Sequence, residues 1–482
     1  MINKEELIRE YVTALRNRSA SVFLGAGVSF PIFEIDWKSL ISPYASKIGI
    51  ELDHSGNDYP FIAQAYINCK NDELNFKQEI CNLFKSEQTT NVHALLAKLP
   101  IRNYWTTNYD SIIENALYRE NKHFDLIYDN DSFATLDDMR DHVVYKCHGH
   151  FNNPESIVIT QEDYENYRIR AFNFTHALYN ELATSSILFL GYSFNDPDIN
   201  NIITTLSSIN NSKQNHYLIT KKDECNLRMQ ELWIDNLERY GIKSVLIDKY
   251  DEVELIVKEI EKRYMAYNVL ISGSATEYSQ YTSEELAQEL IYQLGYKLVE
   301  YDCSGSNEGH GLKIINGNGL GVGSYLYEGI AEAAAVHGLD MADYLLMYPF
   351  PKSYYTQFDQ DKSNEEKYAA YREKMISKCG AVFFLFGNKK DKNGENINAD
   401  GIKKEFDIAV SKKKYVFPIG ATGYMAKELA SIVLADFQKY NGEMPNVEKI
   451  LQSLNNPNAE SKEIIAGMLQ IIDAIAFRPE CK

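Results

Sequence analysis

The segment Ser21-Val22-Phe23-Leu24-Gly25-Ala26-Gly27-Val28-Ser29 joins an apolar run to a glycine turn. The next strongly apolar segment, residues 37–48, has roughly helical spacing, so the pattern predicts a buried strand, a tight turn and a connection to a helix. Glycines at such a turn let the backbone approach a ligand closely, with N–H groups directed toward an anion. Tight glycine turns also occur without any ligand. The candidates for phosphate contact are Gly25, Ala26, Gly27 and Ser29, whose hydroxyl adds a donor.

Length and composition indicate an ordinary globular protein with more than one domain. The chain has 482 residues, of which 45% are hydrophobic and 24% are charged, and this length predicts about two to four domains. The formal net charge is −19. A charge of this sign argues against nucleic acid or an anionic membrane as a general partner, because no basic field would attract them.

The cysteines predict neither disulfides nor a zinc site. They are seven in number, scattered, and never spaced as C-x-x-C: Cys69, Cys81, Cys147, Cys225, Cys303, Cys379 and Cys481. An odd, dispersed set is typical of a reducing compartment. The N-terminus reads as an amphipathic helix and not as a signal peptide, and the longest apolar runs have the length of strands. We therefore expect a soluble, cytoplasmic protein without a metal cofactor.

Polar clusters follow several apolar strands in the first half of the chain. Residues 107–110 read Thr-Asn-Tyr-Asp, residues 147–150 read Cys-His-Gly-His, and Gly191-Tyr192-Ser193 follows the apolar run 187–190. Strands that alternate with helices predict a parallel sheet covered on both faces. The carboxyl ends of parallel strands lie at one edge of the sheet, which is where such folds bind ligands. We expect these loops and the first glycine turn to converge there.

The second half of the chain predicts another α/β unit. It begins with the strand 267–271, followed by Ser272-Gly273-Ser274, a helix over 284–294, a strand over 297–301 and a glycine-rich run over 317–323. Further strands are expected over 344–348, 381–386 and 415–419, and two helices after residue 447. The predicted domains are residues 1–265 and 266–482, both Rossmann-like with parallel sheets.

The first domain resembles the sirtuin superfamily in its compact branch without a zinc module. Gly25 to Ser29 resembles the dinucleotide turn of that family, Thr107 to Asp110 its Gln-Asn-Ile-Asp segment, His148-Gly149 its catalytic His-Gly, and Gly191 to Ser193 its nucleotide loop. The resemblance implies NAD as the substrate. It leaves the acyl-lysine groove of protein deacylases in doubt, because the paired C-x-x-C module is missing.

The second domain resembles the SLOG superfamily of nucleotide-sensing domains. The order sirtuin-like then SLOG is similar to the NAD-degrading effectors of Thoeris antiphage defence. This resemblance implies an allosteric ligand, a cyclic ADP-ribose isomer made by a TIR-domain partner, and a homo-oligomer of four or more subunits. The positions that it assigns to the effector site are Gly273, Ser274, Arg372, Lys389 and Glu405. Arginine can grip a phosphate in bidentate fashion, lysine supplies a point charge, and a carboxylate accepts from ribose hydroxyls.

Cleavage of the nicotinamide–ribose bond requires a nucleotide anchor, a polar group that places water or the ribose hydroxyls, and a base. The family match assigns these catalytic roles to Asn108 and His148, and assigns NAD contacts to Asp110, Gly191 and Ser193. A structural role is also possible for each. His148 could be a satisfied structural histidine, with His150 or His142 as the base, and Asn108 and Asp110 could cap the following helix. Asp196, before Pro197, reads as a helix-start acid and not as a catalytic group.

The effector positions and the activity each allow more than one interpretation. Arg372 could form a surface ion pair, and Lys389 lies in a Lys-Lys-Asp-Lys run that could be a solvated loop. Three function classes follow: a signal-gated NAD glycohydrolase, an NAD-dependent protein deacylase, and a non-catalytic nucleotide sensor. The joint occurrence of Asn108 and His148 favours the first.

Overall fold

The computed structural model describes residues 1–52, 57–137, 139–194, 196–209, 214–304, 311–350 and 363–476. Asn195 and Cys481 lie outside the described residues. The chain divides into two compact units, Met1–Glu261 and Lys262–Lys482. The expected boundary after residue 265 lies slightly further on, at the end of the helix Asp251–Ala266.

The first unit is built on a seven-stranded sheet in the order β3-β4-β2-β1-β5-β6-β7, in which every pair of neighbours is parallel. The strands β1 to β7 span Ala20–Leu24, Asn103–Thr106, Phe124–Ile127, His142–Lys146, Ser186–Leu190, His216–Lys221 and Ile242–Ile247. The helices α1 to α13 span Lys4–Arg16, Ala26–Phe33, Trp37–Lys47, Tyr59–Lys70, Glu73–Leu83, Asn91–Leu96, Ile112–Arg119, Gln161–Glu165, Tyr167–Arg170, Phe172–Thr184, Pro197–Ile209, Leu227–Glu238 and Asp251–Ala266. Short 3-10 helices cover Asp131–Thr135 and Pro154–Ser156.

The central strands of this sheet are buried and mostly apolar because helices cover both faces. Every residue of β1 and of β5 is buried, and Phe23 stacks on Phe189 with ring centroids 5.5 Å apart. The predicted strand followed by a glycine turn is confirmed. The turn leads first into the short helix α2, which begins at Ala26, and the predicted helix near residues 37–48 follows as α3.

The second unit contains a five-stranded parallel sheet in the order β10-β9-β8-β11-β14, and a separate antiparallel pair, β12 and β13. The strands β8 to β14 span Asn268–Ser274, Lys313–Asn316, Leu345–Met347, Ala381–Phe386, Asn388–Lys390, Asn396–Asn398 and Tyr415–Pro418. The helices α14 to α21 span Glu284–Ser304, Gly323–His337, Asn364–Ser377, Asp400–Ser411, Tyr424–Ala435, Phe437–Asn441, Pro445–Ser453 and Ser461–Ala476. Short 3-10 helices cover Met341–Asp343 and Gly420–Thr422.

One predicted strand in this unit is wrong. Residues 297–301 belong to the long helix α14, which continues through Gly295. A Cβ on Gly295 would lie 2.4 Å from the Leu326 carbonyl oxygen, and one on Gly329 would lie 2.0 Å from the Tyr292 carbonyl oxygen. Gly295 and Gly329 permit this close packing of α14 against α15. The predicted α/β class, with two parallel-sheet domains, is confirmed.

Candidate active site

A cavity of about 1060 Å³ lies at the carboxyl end of the seven-stranded sheet. Strand order reverses between β1 and β5, and such a switch point is where α/β sheets bind ligands. The register pairs Leu24 with both Thr106 and Leu190, so the loops after these strands begin at the same edge. The cavity is lined by all of the predicted residues of this unit except Gly25: Ala26, Gly27, Ser29, Asn108, Asp110, His148, Gly191 and Ser193.

The glycine turn packs directly against the loop after β5. The Gly25 N–H donates to the Leu190 carbonyl at 2.9 Å, and the Gly27 N–H donates to the Gly191 carbonyl at 3.0 Å. A Cβ on Gly25 would lie 2.3 Å from the Gly191 oxygen, and one on Gly191, whose φ is +62°, would lie 2.5 Å from the Val28 nitrogen. These glycines are therefore required for loop-to-loop contact whether or not a ligand binds. The Gly27 N–H, expected to face an anion, is already bonded within the protein.

Asn108 is held by the same turn. Its Nδ2 donates to the Gly25 carbonyl at 3.0 Å and to Ser29 Oγ at 3.1 Å. Because a backbone carbonyl only accepts, the amide nitrogen must face Gly25, and this fixes the orientation of the side chain. Both amide protons are used inside the protein, so Oδ1 is the atom that can accept from water or a hydroxyl. Asn108 is not a helix cap, since Ser111 occupies the N-cap position of α7.

Asp110 is buried and is connected to Asn108 through Ser29. Its Oδ1 accepts from the Ile112 N–H at 3.0 Å, and its carboxyl is hydrogen-bonded to the Ser29 side chain. Burial raises the pKa of Asp110, although the Lys146 ammonium and the Ile112 N–H act in the opposite direction. Asp110 thus caps the first turn of α7 and supports Asn108 through Ser29. Its expected contact with a ribose stays a prediction.

A buried ionic cluster contacts the loop that carries Asn108 and Asp110. Lys146 Nζ lies 2.8 Å from Glu114 Oε1 and donates to the Asp110 carbonyl, while His150 Nε2 lies 3.6 Å from Glu114 Oε1. Burial raises the pKa of Glu114, but Lys146 and His150 lower it to a net value below the ordinary one. His150 is therefore occupied by the cluster, and His142 Nδ1 lies 2.6 Å from the Ile101 carbonyl. Of the three histidines considered as bases, only His148 lines the cavity.

His148 is buried, and its Nε2 lies 3.1 Å from Asp196 Oδ2. The imidazole packs edge-on against Tyr164 and Tyr167, with ring centroids 5.6 and 5.5 Å away. Burial raises the pKa of Asp196, but His148 and two backbone N–H groups lower it to a net value below the ordinary one. The interpretation of Asp196 as a helix-start acid is correct but incomplete. Its Oδ1 caps α11 through the N–H groups of Asp198 and Ile199, at 3.0 and 3.1 Å.

A second carboxyl, Asp198, lines the cavity beside this pair. Burial, and then the charge of Asp196, raise the pKa of Asp198 to about 6. Among the described residues, the buried atoms that lack a hydrogen-bond partner of good geometry include Asp198 Oδ2, the Tyr192 hydroxyl and His148 Nε2, so the 3.1 Å between Nε2 and Asp196 is an ion-pair distance and not an aligned hydrogen bond. Sequence reasoning missed both carboxylates as site residues. The sequence did contain a signal for them, because Asp196 and Asp198 closely follow the loop 191–193, which the family resemblance assigns to nucleotide binding.

Aromatic side chains of other elements also line the cavity. Phe30, Phe33, Trp37, Tyr59 and Phe84 line it, and Trp37 stacks on Tyr59 with centroids 6.0 Å apart. Ligand pockets typically combine an apolar lining with a few convergent polar groups. Here the polar groups are an oriented amide oxygen and an imidazole paired with a carboxylate. Such a set can place a water molecule, accept its proton, and stabilise positive charge at the carbon under attack.

Among the described residues, no group of three or more His, Cys, Asp or Glu side chains could hold a metal ion.

The predicted effector residues of the second unit lie along the switch point between β8 and β11. Ser272 Oγ donates to Glu405 Oε2 at 2.7 Å, and Arg372 Nε lies 3.6 Å from Glu405 Oε1. The Arg372 guanidinium carbon lies 4.9 Å from the centre of the Phe350 ring. Burial raises the pKa of Glu405, against the opposing effects of Ser272 and Arg372. Glu405, which the sequence pattern predicts at the start of a helix, lies inside α17.

Contacts connect the remaining predicted residues to this group. Gly273 and Ser274 are the last residues of β8, and Ser274 Oγ donates to the Asn388 carbonyl at 3.2 Å. Lys389 follows and pairs with Asp400 at the start of α17, with 43% of its side chain exposed. The structure therefore brings the five positions to one edge of the sheet. Arg372 forms a partly buried ion pair rather than a surface one.

Comparison with known proteins gives two domain matches in the order that the folds suggest. Residues 102–245 match a SIR2-like domain family, and residues 252–475 match the Sir2- and TIR-associating SLOG family. Among the described residues, no helix is long and apolar enough to cross a membrane.

Curated relatives align over nearly the whole chain. NAD(+) hydrolase ThsA of Bacillus cereus (strain MSX-D12) is 34% identical over 488 residues, which cover 98% of this chain and 98% of the relative. Its counterpart in Cytobacillus dafuensis is 34% identical over 98% of this chain and 97% of the relative. The relative in Acinetobacter baumannii (strain 532279) is 32% identical over 97% of this chain and 98% of the relative. Defense-associated sirtuin 2 of Bacillus subtilis is 28% identical over 42% of this chain and 20% of its own length.

Proposed function

The chain belongs to the family of ThsA NAD(+) hydrolases, and from this premise we propose that it is a signal-activated NAD+ glycohydrolase. It releases nicotinamide and ADP-ribose, and it depletes NAD in the cytoplasm as an antiphage defence. The observation that carries the proposal is the convergence of Asn108 and His148 on one cavity at the switch point of the sirtuin-like sheet. The deacylase alternative lacks a comparable supporting observation.

The reaction consumes NAD+ and water. The bond between ribose C1′ and the nicotinamide nitrogen breaks, and its electron pair leaves with the ring, which becomes neutral. Water oxygen bonds to C1′ and its proton passes to a base. We assign the base role to His148, and we assign to Asn108 Oδ1 the placement of water or a ribose hydroxyl. Ala26, Gly27, Ser29, Asp110, Gly191 and Ser193 form the proposed NAD-binding surface, with Gly25 as the turn residue that holds Asn108.

The second unit is the proposed sensor. Its match to a Sir2- and TIR-associating family supports a signal made by a TIR-domain protein, and we propose a cyclic ADP-ribose isomer as that signal. Arg372, Lys389 and Glu405 offer two cations and a carboxylate, which suit phosphates and ribose hydroxyls. Gly273 and Ser274 provide the adjacent turn.

An NAD-destroying enzyme must be inactive before infection. We propose a homo-oligomer, a tetramer or larger, in which signal binding shifts a closed population toward an active one. A change from about 1% to about 99% active requires the signal to favour the active state by roughly 5.5 kcal/mol. Several coupled sites in one assembly would sharpen the response.

The test follows NAD+ loss by the purified full-length protein, with and without each cyclic ADP-ribose isomer. We expect loss only with a signal, and no loss for His148→Ala or Asn108→Ala. His176→Ala is a matched control, because His176 is an exposed histidine of the same unit outside the cavity. Full turnover by His148→Ala would refute the base assignment. Nicotinamide release that depends on an added acyl-lysine peptide would support a deacylase instead.

A second experiment separates sensing from catalysis. Arg372→Ala should abolish the response to the isomer while ADP-ribose still binds to the first unit, as measured by calorimetry. Size-exclusion chromatography with light scattering, with and without the isomer, measures the assembly. Retention of the full response by Arg372→Ala would contradict the proposed effector site.

A further inference from the structure

Asp196 contacts two different parts of the first unit through its two carboxylate oxygens. Oδ1 accepts from the N–H groups of Asp198 and Ile199 at the start of α11, at 3.0 and 3.1 Å. Oδ2 lies 3.1 Å from Nε2 of His148. The side chain is therefore held by the helix end on one side and directed at the imidazole on the other.

The carboxylate determines which imidazole nitrogen carries the proton. An ionised carboxylate only accepts hydrogen bonds, so Asp196 Oδ2 at 3.1 Å favours the neutral tautomer of His148 that carries its proton on Nε2 and leaves the free lone pair on Nδ1. The pKa of Asp196 lies below its ordinary value despite burial, because His148 and the backbone N–H groups stabilise the charge. The carboxylate is consequently ionised at neutral pH.

On the basis of the proposed NAD+ hydrolysis, we infer that Asp196 is a positioning residue that fixes the tautomer of His148 and makes Nδ1 the basic nitrogen. In the reaction, water oxygen bonds to C1′ and the nicotinamide nitrogen leaves with the electron pair of the broken bond. The proton of the water passes to Nδ1. The resulting imidazolium is stabilised by the negative charge of Asp196.

Several other titratable groups lie near the His148 imidazole, and each could in principle contribute to a pH profile of the reaction. Tyr164 and Tyr167 pack on it from α8 and α9, and burial raises the pKa of both well above the ordinary value. Burial likewise raises the pKa of the neighbouring Cys147 thiol. Asp198, Asp110 and Glu165 also line the cavity; burial raises the pKa of Asp198 to about 6 and raises that of Asp110 above its ordinary value. A pH profile must therefore separate His148 from Asp198.

Replacement of Asp196 by two different capping residues distinguishes this role from a structural one. Asn and Ser both cap helices well. In Asp196→Asn, Oδ1 stays on the helix N–H groups and Nδ2 faces His148, so the donor forces the proton onto Nδ1 and removes the base. In Asp196→Ser the hydroxyl caps but is too short to reach the ring, which can then adopt either tautomer. A positioning role predicts a larger loss for Asn than for Ser, whereas a purely structural role predicts that Asn, the closest isostere of Asp, is the milder change.

The experiment measures kcat and KM for NAD+ on the full-length protein, activated by whichever cyclic ADP-ribose isomer activates the wild type. We expect kcat to fall about 10²- to 10⁴-fold in Asp196→Asn, as for loss of a correctly protonated general base, and less in Asp196→Ser. KM should stay within about threefold. Asp72→Asn is the matched control, because Asp72 caps α5 with the same chemistry away from the cavity. A kcat for Asp196→Asn within about threefold of the wild type, or above that of Asp196→Ser, would overturn the inference.

Two further readouts make the result decisive. The acidic limb of the kcat profile should shift to lower pH in Asp196→Ser, because the imidazolium loses its neighbouring charge, and the shift should persist in an Asp198→Asn background. Nitrogen NMR of the [15N]histidine-labelled protein, with His148→Gln for assignment, reports the tautomer without any turnover. We expect Nε2–H in the wild type and Nδ1–H in Asp196→Asn, and the same tautomer in both would refute the inference. If the wild type fails to consume NAD+ with every isomer, the proposed function fails, and the NMR comparison still tests the pairing.

Discussion

The contact between the turn after β1 and the loop after β5 can be measured with three Gly→Ala substitutions. In Gly191→Ala the new Cβ meets the Val28 nitrogen at 2.5 Å and the backbone has a φ of +62°. In Gly25→Ala the Cβ meets the Gly191 oxygen at 2.3 Å, but φ is −95°. In Gly49→Ala the φ is +74° and nothing lies within 4 Å. Gly191→Ala therefore combines a steric clash with an unfavourable backbone conformation, Gly25→Ala has the clash alone, and Gly49→Ala has the unfavourable backbone alone.

The magnitudes follow from these geometries. A left-handed backbone costs an alanine about 1–2 kcal/mol, which is the expected loss for Gly49→Ala. A Cβ forced against backbone atoms costs about 1–3 kcal/mol, because the chain must shift; this is the expected loss for Gly25→Ala. Gly191→Ala should lose about 2–5 kcal/mol, the sum of the two effects.

The assay is urea unfolding followed by tryptophan fluorescence. All three tryptophans, Trp37, Trp105 and Trp233, belong to the first unit, so the signal reports that unit within the full-length chain. We expect the order Gly191→Ala, Gly25→Ala, Gly49→Ala from most to least destabilised. Equal losses for Gly191→Ala and Gly49→Ala would refute the claim that these glycines are needed for close contact between the loops.

Three further predictions use the same protein. Burial lowers the pKa of His216 to about 4, below an unfolded value of about 6.5. The unfolded chain therefore binds the proton more readily than the folded one. The free energy of unfolding should fall as pH decreases from about 6.5 toward 4, by up to about 1.4 kcal/mol per pH unit. His216→Asn should flatten the fluorescence-detected dependence, and an unchanged slope would contradict the assignment. Lys77→Met leaves the buried Asp163 carboxylate with Arg170 as an ion-pair partner and with the N–H groups of Ile159 and Thr160, and should cost near the lower end of about 3–5 kcal/mol. Lys222→Met, at the exposed pair with Asp248, should cost much less, because solvent screens an exposed pair. Similar losses in the two variants would contradict a stabilising role of the buried pair. Lys389→Ala should change the free energy of unfolding by less than about 1 kcal/mol, since the ion pair of Lys389 with Asp400 is exposed. It should nevertheless raise the isomer concentration needed for half-maximal NAD+ loss by roughly tenfold or more. An unchanged concentration would make Lys389 a solvated loop residue.

Most of the fold could be predicted from local patterns. Apolar runs of strand length, such as residues 187–190 and 381–386, identify strands that helices cover on both faces. The strand predicted over residues 297–301 is wrong because α14 continues through Gly295, which packs against α15. A glycine needed for contact between helices and a glycine at a helix end can be told apart only from a neighbour that is distant in sequence.

Short segments of the chain were sufficient to predict the two α/β domains, their order, and the strand ends on which the site residues lie, because these features depend on periodicity and turn chemistry. The pairings between segments exist only in the folded chain: Asp196 with His148, Asn108 with Gly25 and Ser29, and Arg372 with Glu405. The parallel register aligns the ends of β1, β2 and β5, and the loops that follow then meet at distances that no single segment encodes. An acid such as Asp196 reads locally as a helix cap, and it gains a second role only where the fold places an imidazole within reach of its other oxygen.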